Sequence, residues 1–202
     1  VGQALHRAGF NGVLIVISNP VDVITGIYQQ VTGLPANQVF GTGTYLDTAR
    51  LKRSLGDALN VDPRSIQGYM LGEHGDSQFA AWSTVRVLGQ KADELVTNYH
   101  LDLDAVANDA RVGGFTVFSG KKYTNFAIAH AAVSLAQLVL SDAHNEAIVS
   151  HYDARFAGYI STPAIIGRSG VVANFELTLT ADEQRALQQS ANAIAEKTAA
   201  YL

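Results

Sequence analysis

Apolar residues follow two different spacings along this chain, one typical of strands and the other of helices. Residues 13–18 (VLIVIS) are almost continuously apolar and β-branched, which predicts a parallel-sheet strand covered on both faces. Residues 21–32 continue with helical spacing, and Gly33 with Pro35 marks the end of that helix. A strand, a turn and a helix are half of a βαβ unit. The beginning of the chain therefore predicts an α/β architecture.

Beyond residue 40 the pattern favours long helices and then antiparallel strands. Residues 45–59 carry an apolar stripe with basic residues between its members. Thr180 and Glu183 predict a capping box at the start of a C-terminal helix from about 181 to 202. The other predicted elements are a helix end at 2–8, strands at 65–71, 79–88, 147–151, 159–167 and 171–179, and helices at 102–118, with a bend at Gly113-Gly114, and at 123–143.

The change of pattern near residue 40 predicts a domain boundary. We predict an α/β remnant before it, followed by an α+β domain with antiparallel strands and long helices. The helix at 123–143 is the most apolar, so we expect it to run through a core, with His130 as a hydrogen-bonded core histidine.

Composition and charge narrow the classes of function. Charged residues make up 16% of the 202 residues, below the ~25% typical of soluble domains. The net charge of −4 argues against nucleic acid or an anionic membrane as the main partner. The sequence has no cysteine, which excludes a thiol nucleophile and a thiolate metal site and fits a reducing, cytoplasmic setting. The longest strongly apolar stretch, 126–140, is too short to span a bilayer comfortably.

His74 is the first candidate for chemistry. It lies between glycines after a predicted strand, in Gly72-Glu73-His74-Gly75-Asp76-Ser77. Imidazole titrates close to neutral pH, so this side chain could act as a general acid and base. An isolated loop histidine can also be purely structural. A serine hydrolase that uses Ser77 is a further alternative, although the sequence lacks the G-x-S-x-G elbow around it.

Asp47 and Arg50 are the second candidate. They are three residues apart on a predicted helix and therefore share a face. Alone, such a pair is a surface ion pair of little value. A histidine bound to Asp47 would have its tautomer fixed and its pKa raised. Arg50 would then be released, and its planar fork could hold a carboxylate with two hydrogen bonds.

Asn19 is the third candidate, since it follows the buried strand at the edge where doubly wound folds bind ligands. A turn residue before Pro20 is the alternative interpretation. Residues 41–46 (GTGTYL) lack the third glycine of a dinucleotide fingerprint. His144 and His151 do not form an H-E-x-x-H pattern, so we expect no metal site.

Three segments occur in one order: Ile15-Val16-Ile17-Ser18-Asn19-Pro20-Val21-Asp22, Gly41-Thr42-Gly43-Thr44-Tyr45-Leu46-Asp47-Thr48-Ala49-Arg50 and Gly72-Glu73-His74-Gly75-Asp76-Ser77. Together they resemble the L-lactate and malate dehydrogenase family of NAD-dependent 2-hydroxy acid dehydrogenases. The resemblance runs through the whole chain, and the lactate-type branch fits better. Residues 78–83, Thr42 and residues 163–167 look closest to L-2-hydroxyisocaproate dehydrogenases.

The resemblance implies roles for the residues around the substrate. His74 would donate and accept the proton on the substrate oxygen, and Asp47 would orient and charge-stabilise it. Arg50 would clamp the substrate carboxylate, and Thr124 would lie in the substrate pocket.

The resemblance also implies a cofactor, NAD, and a division of the chain. Residues 1–40 would be the C-terminal remnant of a dinucleotide-binding domain, and residues 41–202 the substrate-binding and catalytic domain. Asn19 would lie near the reacting carbonyl and the nicotinamide ribose, with Ile17 and Ser18 lining the cofactor.

The family's first strand, glycine-rich phosphate loop, acidic ribose-binding residue and arginine-bearing mobile loop do not occur in this sequence. We therefore expect a fragment, inactive alone, that corresponds to the C-terminal two-thirds of a dehydrogenase. The full-length protein would be a cytoplasmic homo-oligomer, a dimer or a tetramer, that acts on small 2-oxo and 2-hydroxy acids. The alternative is a truncated oligomerisation module without catalysis.

Overall fold

A computed structural model describes residues 1–201 of the chain. The helices are Gly2–Arg7 (α1), Val21–Thr32 (α2), Tyr45–Leu59 (α3), Ala92–Tyr99 (α4), Leu103–Lys121 (α5), Phe126–Leu140 (α6) and Ala181–Ala199 (α7). The strands are Leu14–Val16 (β1), Val39–Gly41 (β2), Ile66–Gln67 (β3), Met70–Leu71 (β4), Phe79–Ala80 (β5), Arg86–Val87 (β6), Gln90–Lys91 (β7), Asn145–Asp153 (β8), Gly158–Gly167 (β9) and Gly170–Asn174 (β10).

The main sheet has five strands in the order β1-β2-β8-β9-β10. Strands β1 and β2 are parallel, as the predicted βαβ pattern requires, and the other pairs are antiparallel. The predicted fold class, α/β followed by α+β with antiparallel strands and long helices, is confirmed. The sheet joins strands from both sides of residue 40, and the domain boundary placed there stays a prediction.

Two of the predicted strands are broken in the structure. Residues 65–71 form β3 and β4 instead, because Gly68 has a φ of 144° between them and the two halves pair with different partners. Residues 79–88 form β5, a 3₁₀ turn at Trp82–Thr84, and β6. The strand predicted at 171–179 ends at Asn174, and the pattern did not reveal α4.

The predicted bend at Gly113-Gly114 is wrong, because α5 continues through both glycines. Their role is close packing against α3. A Cβ at Gly113 would lie 2.9 Å from Cδ of Arg50, so a larger residue would displace the guanidinium.

The prediction that the apolar helix runs through a core is also wrong. Only Ala131 and Leu135 of α6 are buried, while Phe126 and Leu140 are 77% and 75% exposed. His130 is exposed as well. The reason is geometric: α6 packs one face on the main sheet through Leu135, and nothing within residues 1–201 covers the opposite face.

Helices α3 and α7 are held by apolar packing against other elements. Helix α3 buries Leu51 and Leu55 against Val106 and Ala110 of α5. Helix α7 starts with the predicted capping box, which is confirmed: Thr180 N–H donates to Glu183 Oε2 at 2.9 Å. Its residues Leu187, Ala191 and Ile194 pack against Ile160 of β9. Within residues 1–201, no helix is both long and apolar enough to cross a membrane.

Candidate active site

A cleft of about 820 Å³ opens where the first turns of α3, the loop after β4, and helices α5 and α6 meet. The predicted site residues that line it are Ile17, Asn19, Asp47, Arg50, His74 and Thr124. Ser18 is exposed but is not among the lining residues. The structure therefore brings together all but one of the residues that the sequence singled out.

Asp47 is a buried carboxylate in the wall of the cleft. It lies in the first turn of α3 with a side chain that is only 1% exposed. His74 Nδ1 lies 2.6 Å from Asp47 Oδ2. A carboxylate accepts hydrogen bonds only, so Nδ1 carries the hydrogen. Nε2 is consequently the ring nitrogen that remains for a ligand in the cleft.

Arg50 shares the same carboxylate. Its Nη1 donates to Asp47 Oδ1 at 2.7 Å while His74 occupies Oδ2. The expectation that His74 would release Arg50 is wrong, because each carboxylate oxygen can accept its own donor. Arg50 keeps its other N–H groups without a protein partner among the described residues, and its side chain is 24% exposed. These donors remain for an anion in the cleft.

The charges around the imidazole favour its protonated form. Burial lowers the pKa of His74, but the hydrogen bond to Asp47 and the negative charges of Asp47 and Asp22 raise it by more, and Arg50 opposes them. The net pKa lies above its ordinary value. A cation held in this way can give up its proton when negative charge develops on a bound oxygen.

The backbone around His74 is fixed by hydrogen bonds to other elements. Gly72 N–H donates to the carbonyl of Ser161 on β9 at 3.0 Å. Glu73 N–H donates to Ser190 Oγ on α7 at 2.6 Å. His74 N–H donates to Asp22 Oδ2 on α2 at 2.8 Å. Three elements thus hold three successive amides of the loop.

The hydroxyl of Ser77 forms its hydrogen bonds with groups other than the His74 imidazole. Its hydroxyl donates to Glu73 Oε2 at 2.6 Å and lies 3.0 Å from Ser190 Oγ. Glu73 also forms an ion pair with Lys197 of α7. A nucleophilic serine needs a hydrogen bond to its base, and in this structure the Ser77 hydroxyl instead binds within the loop and beside α7.

Sequence reasoning missed several residues of the site. Asp22 ends the first of the three family segments, but the spacing of residues in a sequence does not show that a carboxylate in the first turn of a helix is buried beside a histidine. Arg111 and Gly114 of α5 line the cleft as well. They reach it only through the packing of α5 on α3. Within residues 1–201, no cluster of three or more His, Asp or Glu residues could hold a metal.

Comparisons with known proteins identify relatives of this chain. Residues 44–200 match the lactate/malate dehydrogenase α/β C-terminal domain. The chain is 36% identical over 201 residues to L-lactate dehydrogenase 1 of Lactobacillus acidophilus, covering 96% of this chain and 62% of that protein. It is similar to the minor L-lactate dehydrogenase of Enterococcus mundtii, with a TM-score of 0.91, 32% identity, and coverage of 96% and 66%. For the lactate dehydrogenase of Cryptosporidium parvum the TM-score is 0.92 at 28% identity, with coverage of 98% and 68%. The chain thus spans 62–68% of the length of these proteins.

The raised pKa of His74 makes a prediction about stability. The protonated imidazole should stabilise the fold fully below its unfolded pKa of about 6.5, and this contribution should be lost as pH rises through the higher folded-state pKa. Urea unfolding of the chain and of His74→Gln, compared between about pH 5.5 and 9, measures it. An advantage of the unsubstituted chain that grows toward alkaline pH would contradict the assignment.

Proposed function

This chain belongs to the lactate/malate dehydrogenase family, and from that premise we propose that it serves the NAD-dependent interconversion of L-2-hydroxy acids and 2-oxo acids. The observation that carries the proposal is a single buried carboxylate, Asp47, that binds a histidine and an arginine facing one cleft. This pair of cationic groups suits a substrate with a carboxylate and a neighbouring carbonyl.

His74 is the proposed acid and base. When a 2-oxo acid is reduced, the carbonyl oxygen gains negative charge, and protonated Nε2 gives its proton to that oxygen. In the reverse direction, neutral Nε2 removes the proton of the hydroxyl group. Asp47 fixes the tautomer and stabilises the imidazolium in both directions.

Arg50 is the proposed carboxylate clamp. Asp47 already holds one of its nitrogens, which restrains the position of the guanidinium. The free donors can bind a carboxylate with the fork geometry that a lysine cannot offer. Binding at this point fixes the distance between the substrate oxygen and His74, which lowers the entropy cost of the reaction.

The cleft edge beside β1 has groups that suit the nicotinamide end of NAD. Ile17 is 46% exposed and offers an apolar face, and Asn19 offers an amide at the carboxyl end of a parallel strand. We propose that Ile17, Ser18 and Asn19 hold this end of the cofactor. NAD, when bound, supplies the hydride chemistry at C2 of the substrate.

We propose further that the substrate side chain is branched and apolar, as in L-2-hydroxyisocaproate. Leu46, Phe115 and Ile128 line the same cleft as Arg50. Gly114 has no side chain where a Cβ would lie 3.4 Å from the guanidinium nitrogens. Thr124 lines the same cleft. These features give this part of the cleft apolar walls, which suit a branched apolar side chain.

We also propose a cytoplasmic homo-oligomer. Val133 and Leu140 lie seven residues apart on one face of α6 and are 56% and 75% exposed. Apolar side chains grouped in this way are typical of surfaces that bind another chain. The sequence has no cysteine to form disulfides, which suits the cytoplasm.

Replacement of His74 tests the acid–base role. In the product of the complete reading frame, His74→Asn should lower kcat for 2-oxo acid reduction by about 10²- to 10⁴-fold, because the proton donor is lost. The exposed His144→Asn is the matched control and should keep full activity. Oxidation of NADH with pyruvate and with 4-methyl-2-oxopentanoate measures both the role and the substrate preference. Turnover by His74→Asn within a few-fold of the unsubstituted protein would reject the role.

Replacement of Arg50 tests the clamp. Arg50→Lys keeps the charge but loses the fork, so kcat/KM for 2-oxo acids should fall by about 100-fold, since each charge-assisted hydrogen bond contributes about 1.5–3 kcal/mol. Arg53→Lys, on the exposed face of the same helix, is the control. If the two variants behave alike in steady-state kinetics, Arg50 does not bind the substrate carboxylate.

A further inference from the structure

Asp22 is a buried carboxylate that the chemistry above leaves unused. It lies in the first turn of α2 and is 3% exposed. We propose that Asp22 is a positioning residue for His74: it anchors the loop through the His74 amide and favours the imidazolium through its charge. This inference rests on the acid–base role proposed for His74 and deepens it.

The first argument comes from the backbone. Of the three anchored amides in the loop, those of Gly72 and Glu73 donate to neutral oxygens of Ser161 and Ser190. The amide of His74 itself donates to a carboxylate. Hydrogen bonds to charged acceptors are stronger than neutral ones. The one anchor with a carboxylate acceptor is therefore placed at the residue whose side chain binds Asp47.

The second argument comes from an unpaired atom. Asp22 Oδ1 has no hydrogen-bond partner within residues 1–201, and neither has the Oγ of the neighbouring Ser150. Burial raises the pKa of Asp22, although the hydrogen bond from the His74 amide and the charge of the His74 ring oppose that shift. A buried carboxylate with an unused oxygen weakens the fold. If Asp22 helps to keep His74 protonated, the presence of this unfavourable buried carboxylate is explained.

The third argument comes from the charges that surround the imidazole. Asp47 binds the ring directly, and Asp22 adds negative charge from a second helix without touching it. Glu73, on the same loop, is neutralised by Lys197. The charged groups that face this region are Asp47 and Arg50 from α3, Asp22 from α2, Glu73 and Asp76 from the loop, Lys197 from α7, and Arg111 from α5.

The test follows the His74 ring and amide by NMR in the 202-residue chain. Asp22→Asn keeps an oxygen that accepts from the amide but removes the charge. It should lower the pKa of His74 by roughly half a unit or more and leave exchange of the His74 amide hydrogen nearly unchanged. Asp22→Ala removes both effects and should also speed that exchange by about tenfold or more. Asp57→Asn, which removes an exposed carboxylate on α3, is the control and should change neither quantity.

A His74 pKa in Asp22→Asn equal to that of the control would overturn the charge role. Unchanged amide exchange in Asp22→Ala would overturn the anchoring role. If Asp22→Ala does not fold, Asp22→Asn decides the charge role, since a purely structural role would not move the pKa, and Asp22→Ser, whose shorter side chain withdraws the acceptor, decides the anchoring role by the same exchange measurement. Failure of the acid–base role proposed for His74 would be detected in a different measurement, as retained turnover by His74→Asn.

Discussion

The hydrogen bond between His74 Nδ1 and Asp47 Oδ2 is the interaction on which this site depends. It is 2.6 Å long and joins a loop after a strand to the first turn of a helix. Burial of Asp47 without donors would be costly. His74 and Arg50 supply those donors, one on each oxygen. The same arrangement fixes the imidazole tautomer and leaves Nε2 and the free guanidinium donors on the side of the cleft.

Packing and hydrogen bonds elsewhere in the fold keep this contact in place. Helix α3 is held by its apolar packing on α5, and the glycines of α5 allow Arg50 to lie close to that helix. The His74 loop is held from three directions, by β9, α7 and α2. A polar network of this kind positions a side chain well only when each part is satisfied. The unpaired oxygen of Asp22 is the exception, and it belongs to the carboxylate that accepts from the His74 amide.

Much of this could be predicted from the sequence. The parallel pair β1 and β2 follows from a continuous apolar run and its helix, and the contact between Asp47 and His74 from the carboxylate–imidazole pairing and the three family segments. Other features depend on tertiary packing. The exposure of Phe126 and Leu140 cannot be predicted from apolarity alone, and the break at Gly68 arises because β3 and β4 pair with different strands. The simultaneous binding of Arg50 and His74 depends on side-chain geometry that spacing does not encode.

The central claim is that Asp47 sets the protonation and tautomer of His74. The most direct measurement is a pH titration of the His74 ring nitrogens by ¹⁵N NMR in the chain and in Asp47→Asn. We expect the hydrogen of the neutral ring on Nδ1 in the unsubstituted chain and a pKa above about 6.5, which Asp47→Asn should lower by roughly one unit or more. A neutral ring with its hydrogen on Nε2, or a pKa unchanged by Asp47→Asn, would contradict the account.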